Sequence, residues 1–369
     1  MDDHAPLTVP DSSEPERPRW TSVVYDGDRA AFRRMLVREV ALIAATLGIY
    51  WFWARTRVRR FVWAHTRVNG SPLEYSGKGL ELFIGFVVAG ILFALLSWLI
   101  DIGLATMTTD PAESILASIA VYGVFFAFVY AIAAYRRRRY LVRRTAWRGI
   151  RCGLAGTGLG FLKHVSLPAI ATALTLGIAF PWLSVAIQRY LIGNMSLGSV
   201  PFRYEGYGRD LLGPWIAVWL LALPTAGYSL VWWRGRATRY HYDAVRLNGL
   251  VLESSLRPWH IVGLYFLGAF ILSLVLYLPA SLILTAATQA VSLESDVILL
   301  AVATAGGFAI FLALSWGLYL YFVEYRIIEH GLQTLLISGS MDWSEIEQVH
   351  PEAGGAGDGL DAVLGMDGI

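Results

Sequence analysis

The chain has 369 residues, of which 56% are hydrophobic and only 16% charged. A soluble domain carries about a quarter charged residues, so this composition excludes an ordinary water-soluble domain and puts much of the chain in lipid. The net charge of +2 hides clustering next to apolar runs: of the 30 Lys and Arg only Lys78 and Lys163 are lysine, no soluble basic domain for nucleic acid is visible, and the lone Cys152 excludes a disulfide framework.

In chain order, the first 20 residues are acidic and proline-rich with no apolar core, so no cleavable signal is expected and residues 1–24 read as a disordered tail. Seven uncharged apolar cores follow, at 40–54, 82–100, 114–135, 165–188, 211–233, 261–293 and 297–323. The predicted fold is therefore all-α: one polytopic membrane domain over 25–347, followed by an acidic, glycine-rich disordered tail at 348–369. The loop after the second segment carries Asp101, Asp110 and Glu113, and the loop after the sixth carries Glu294 and Asp296, with no base in either. Both loops are expected to face away from the cytoplasm. The basic linkers 55–78 and 136–164, and the C-terminus, are expected in the cytoplasm.

An internal repeat organises the domain. Thr46-Leu47-Gly48 recurs as Thr175-Leu176-Gly177 and Thr225-Ala226-Gly227. Fifteen residues after each Thr stands an aromatic preceded by Arg: Arg60-Phe61, Arg189-Tyr190 and Arg239-Tyr240. Asn69-Gly70 reappears as Asn248-Gly249, and Tyr75, Gly77 and Gly79 as Tyr204, Gly206 and Gly208. The copies run over about 46–90, 175–219 and 225–270, with a copy lacking Thr-x-Gly at 129–170 and a faint one from 325. Each unit reads as an apolar segment, a basic amphipathic helix in the membrane interface, a tight turn, and glycines leading into the next apolar helix. Two topologies follow. One has seven plain spans with only 189–210 of the repeat loops outside. In the other, the segments at 40–54, 165–188 and 211–233 are re-entrant hairpins bent at Thr-x-Gly.

Thr46-Leu47-Gly48-Ile49-Tyr50, Trp53, Arg57, Arg59-Arg60-Phe61, Thr66, Gly70, Glu74-Tyr75, Gly77, Gly79 and Glu81-Leu82 together resemble the YjgN-like family of uncharacterised bacterial inner-membrane proteins. The resemblance runs from about Tyr25 to Glu347, with Tyr25-Asp26-Gly27 standing as a diverged form of the family's N-terminal Phe-x-Gly. It implies a bacterial inner membrane and brings no activity, cofactor or catalytic residue.

The residues themselves offer no catalytic set. The seven histidines are scattered without ligand spacing, so neither a metal nor another cofactor is expected. Cys152 lies near Arg148 and Arg151, which would favour a thiolate, but reads as a passive turn residue. Thr46, Gly48, Thr175, Gly177, Thr225 and Gly227 are candidates for a pathway or bend. Arg55, Arg57, Arg59, Arg60 and Arg136, Arg137, Arg138 and Arg139 are candidates for contact with anionic lipid headgroups. The leading expectation is passage or handling of a small solute or lipid without covalent chemistry. The alternatives are a scaffold that binds anionic lipid or partners through its arginine-rich helices and, third, a membrane enzyme.

Overall fold

In the computed structural model, which describes residues 21–107, 111–292, 297–339 and 346–349, five helical hairpins alternate with ten short strands. The first unit comprises β1 (Thr21–Tyr25), α1 (Arg29–Ala45), α2 (Trp51–Ala64) and β2 (Thr66–Val68). The second comprises β3 (Ser71–Tyr75), α3 (Gly79–Met107), α4 (Pro111–Arg143) and β4 (Thr145–Trp147). The third comprises β5 (Ile150–Leu154), α5 (Gly158–Leu174), α6 (Phe180–Gly193) and β6 (Met195–Leu197). The fourth comprises β7 (Val200–Tyr204), α7 (Gly208–Leu221), α8 (Tyr228–Asp243) and β8 (Val245–Leu247). The fifth comprises β9 (Leu250–Ser254), α9 (Pro258–Ser292), α10 (Val297–Tyr319), a π-helical turn (Leu320–Glu324), α11 (Tyr325–Gln333) and β10 (Leu335–Ser338).

The strands correct the all-α expectation. Every strand pairs antiparallel with its neighbours in sequence, and β10 returns to β1, so the ten close into a barrel. Within each unit the two strands flanking the hairpin pair with each other, and two-residue turns join successive units. Asn69-Gly70, Arg148-Gly149 and Asn248-Gly249 all have positive φ at both residues, the requirement of a type I′ hairpin turn. One backbone bond repeats around the ring: Asp26, Ser76, Ala155, Glu205 and Ser255 donate N–H to the carbonyls of His65, Arg144, Asn194, Ala244 and Thr334, at 2.9 to 3.1 Å. β1 also takes in residues 21–24, which the sequence reading left in the tail. Residues 1–20 and 350–369 of the two expected tails, and Asp110, Glu294 and Asp296, lie outside the described residues.

Alternation along each strand fills the barrel with apolar side chains. Trp147, Leu197, Leu247 and Leu250 form its buried core, and Val68 and Leu73 pack against them. Ile346 joins the same core from the C-terminal segment. That segment is held by Ser199 N–H to the Glu347 carbonyl (3.0 Å), Glu347 N–H to Ser199 Oγ (3.2 Å) and Arg151 N–H to Gln348 Oε1 (2.9 Å).

Above the barrel each helix packs on the next, and α10 returns to α1, so the helices also form a closed ring. The hairpins differ in height. α3 has 29 residues, α4 33 and α9 35, rising about 43 to 52 Å at 1.5 Å per residue. The arms of the other three hairpins have 14 to 17 residues, about 21 to 25 Å. Among the described residues four helices, rather than seven, are long and apolar enough to cross a membrane: Gly79–Leu104, Glu113–Arg143, Pro258–Tyr277 and Ala305–Gln333. The first, fourth and fifth apolar segments instead fold back on themselves at Thr-x-Gly. Their tips carry exposed Leu47, Leu176 and Leu223.

The exposed faces of β3, β7 and β9 provide a direct check. In a Cys152→Ser background, single cysteines at Glu74, Arg203 and Glu253 are expected to react with an impermeant maleimide from one and the same side of the membrane. A seven-span chain would put Arg203 opposite the other two.

Candidate functional site

The Thr-x-Gly motif is a helix-hairpin bend with its own bonding. The hydroxyls of Thr46, Thr175 and Thr225 donate to Leu42, Ala171 and Leu221 carbonyls at 2.6 to 2.8 Å. The same oxygens accept N–H from Tyr50, Ala179 and Ser229, so each Thr closes one helix and caps the next. Gly48, Gly177 and Gly227 sit at φ of +95°, +94° and +86°, conformations that cost an L side chain about 1–2 kcal/mol. Their N–H groups donate to Ile43, Thr172 and Ala222. Trp215 and Trp219 Nε1 take the Gly177 and Leu176 carbonyls at 2.9 and 3.0 Å. Thr46, Gly48, Thr175, Gly177, Thr225 and Gly227 thus shape the bends at the hairpin tips, where their polar groups are occupied, and none is among the residues lining the cavity described below. Gly48→Ala, Gly177→Ala and Gly227→Ala are each expected to lower the melting temperature in detergent by several degrees; an unchanged transition in all three would contradict this account of the bend.

The arginines face in several directions. Arg60 and Arg189 donate to the carbonyls of Gly77 and Gly206, both at 2.8 Å, strapping the second arm of each hairpin to the start of the next unit. Those glycines are required, because a Cβ there would run into the hydroxyl of Tyr75 or Tyr204. Arg57 pairs with the fully buried Glu39 at 2.7 Å. Arg55 is 7% exposed and Arg59 has no accessible surface, so neither meets a headgroup at the outer surface. Burial, reinforced by Arg59 and Arg137, pushes the Arg55 guanidinium down to about 9. On α4, Arg137 and Arg139 are half-buried, whereas Arg136 and Arg138 are accessible; Arg138 lies within electrostatic reach of Tyr242 on α8.

A cavity of about 380 Å³ lies between α2, α8, α9 and α11 at the level where helices meet barrel. Its walls are mostly apolar, including Val62, Leu73, Ile261 and Ile328, with Arg234, Tyr265, Tyr319 and Glu324 among its polar groups. Arg234 donates to Tyr265 Oη at 3.0 Å. Glu324 occupies the position held by Arg60, Arg139, Arg189 and Arg239 in the other units, and it ends the π-helical turn. An extra residue per turn of this kind often marks a functional site.

Sequence reasoning missed a second polar group. His241 Nδ1 lies 2.7 Å from Tyr204 Oη and Nε2 lies 2.9 Å from Ser184 Oγ. The three come from α8, β7 and α6, and no spacing rule joins them. Burial pushes His241 down to about 4, so the ring is neutral at pH 7 and carries one N–H. Burial likewise pushes the Cys152 thiol up to about 11 in the barrel wall, opposite to the thiolate that Arg148 and Arg151 suggest.

A ring of hairpins on a filled barrel, with four helices among the described residues long and apolar enough to cross a membrane, marks a membrane protein with a cavity among its helices. Residues 21–363 match DUF898, described as a bacterial protein of unknown function, and the chain belongs to that family, the YjgN-like family. No curated protein and no solved structure matches the chain.

The depressed His241 value fixes a pH dependence. Protonation favours the unfolded state, where histidine titrates near 6.5, so the contribution is complete above that pH and is lost as pH falls towards 4. The expected loss is about 3 kcal/mol. The stability difference between the wild type and His241→Gln should therefore shrink from pH 7 to pH 4.5; a difference independent of pH would refute the assignment.

Proposed function

We propose that the protein resides in the bacterial cytoplasmic membrane, with barrel and C-terminus in the cytoplasm. There it admits a small solute or lipid into the chamber inside its helix ring and handles it without covalent chemistry. The side follows from charge. Arg67, Arg148, Arg151, Arg203 and Arg246 all lie on the strands and turns of the barrel, whereas Asp101 and Glu113 lie near the far end of the α3–α4 hairpin.

The unequal height of the ring carries the reading. Three of the five hairpins stop about 20 Å short of the long ones and end in exposed leucines, so a bilayer around the long helices leaves lipid above the short ones. The barrel end is filled by Trp147, Leu197, Leu247 and Ile346. Access from the lipid side is therefore favoured over an axial pore. A scaffold working through its arginines fits less well, because Arg55, Arg59, Arg60 and Arg189 are committed to the interior or to backbone carbonyls. Ser184–His241 lacks a carboxylate partner among its hydrogen bonds, which favours binding over catalysis.

Reconstitution into liposomes tests the proposal. The protein is expected to accelerate dithionite quenching of inner-leaflet fluorescent lipid while a trapped hydrophilic dye is retained. Unchanged lipid quenching together with unchanged flux of small solutes would overturn it.

A further inference from the structure

The least explained feature of the molecule is charge without counter-charge. Arg59 is fully buried, yet its Nε and Nη2 have no hydrogen-bond partner. Only Nη1 donates, to Tyr75 Oη at 3.3 Å. Arg55, one turn earlier on α2, has its guanidinium carbon 4.9 Å from the Trp51 ring. A buried ion requires a partner, and a guanidinium stays charged at neutral pH.

The pair lies on α2 in the two turns before Val62 and Trp63, which line the cavity. Tyr75 packs on Trp63 with ring centroids 5.6 Å apart, and Trp63 lines the cavity wall. Glu324 lies on that wall within electrostatic reach of Arg55. Glu324 is the one carboxylate among the residues lining the cavity, whereas Arg234 lines it too and Arg55 has both Arg59 and Arg137 within electrostatic reach, so bases outnumber the acid around it. The fork of a guanidinium matches a phosphate or carboxylate oxygen pair. The rest of the wall suits hydrocarbon.

We propose that Arg55 and Arg59 form the headgroup site of the chamber, and that its ligand is an amphiphile bearing a phosphate-type oxyanion with its chain against Val62, Leu73, Ile261 and Ile328. This rests on the handling function proposed above and names its substrate class. Arg59 stands in the turn next to Val62 and Trp63 on the cavity wall, and Arg55 one turn earlier on α2. The reading also explains why two arginines are kept where a methionine would pack at lower cost.

The test needs no bilayer, so its failure is distinct from a failure of lipid or solute handling. The full chain, purified in a nonionic detergent and stripped of lipid, is titrated with decyl phosphate, decanol, decyltrimethylammonium and inorganic phosphate. Tryptophan fluorescence is the readout, since Trp51 stacks on Arg55 and Trp63 lines the cavity. Decyl phosphate is expected to bind saturably and at least tenfold more tightly than the other three. Arg55→Gln should weaken it at least tenfold, while Arg203→Gln, on the outer face of the barrel, should leave it unchanged. Arg59→Met should abolish binding and raise the melting temperature of the stripped protein, whereas a purely structural arginine would lower it on removal. Equal binding of decanol or of inorganic phosphate, or wild-type binding by Arg55→Gln, would overturn the proposal. So would a lowered melting temperature in Arg59→Met.

Discussion

The structure depends on closure of the backbone ladder. Strands of three to five residues are too short to persist alone or as a two-stranded hairpin. Each survives because both edges are paired, and both are paired only because β10 meets β1. The helices inherit this geometry. Each hairpin leaves the barrel from one strand and returns to the neighbouring one, so ten paired strands hold the hairpins in a ring. Arg29–Glu329, with nitrogen and oxygen 3.0 Å apart, reinforces the same seam between the first and last units.

Within that frame, hairpin height and inner-wall chemistry vary independently. The bends of the three short hairpins repeat through the Thr hydroxyl and the left-handed glycine, and in three units a tyrosine (Tyr25, Tyr75, Tyr204) stands against a glycine two residues on. The inner wall does not repeat. The position of Arg59 is Arg138, Gln188 and Thr238 in the next three units, and that of Arg55 is Ala134, Ser184 and Arg234. A symmetric scaffold thus encloses an asymmetric, basic interior, as expected where structure is shared among copies and recognition is confined to a few side chains.

Much of this was legible in the sequence. Thr-x-Gly, Arg followed by an aromatic, Asn-Gly and Tyr-x-Gly each mark a joint of the fold, and the bend was placed correctly in the re-entrant topology. The strands were not legible, because segments such as Thr66–Val68 are too short to display a period of two. Asn69-Gly70 signals a tight turn in its own right, but nothing local says that it joins two strands. The burial of Arg55 and Arg59 was hidden for a related reason. On an isolated helix, Arg55, Arg57, Arg59 and Arg60 read as a basic face for lipid, whereas in the fold Arg55 and Arg59 are buried, Tyr75 on β3 meets Arg59, and Glu39 on α1 pairs with the partly exposed Arg57. Ser184, His241 and Tyr204 carried no signal, because their meeting requires the third and fourth units to be already side by side.

The position of β10 has a consequence for biosynthesis. It is the last element of the barrel, and Ser338 lies near the end of the membrane domain. Until the ribosome has delivered it, the first nine strands form an open sheet with two unpaired edges, one at β1 and one at β9. The nascent protein therefore passes through a stage with all of its membrane helices made and its barrel unsealed. A chain released prematurely at that stage would present those edges to its neighbours, an incentive for strand exchange between copies that the finished ring removes.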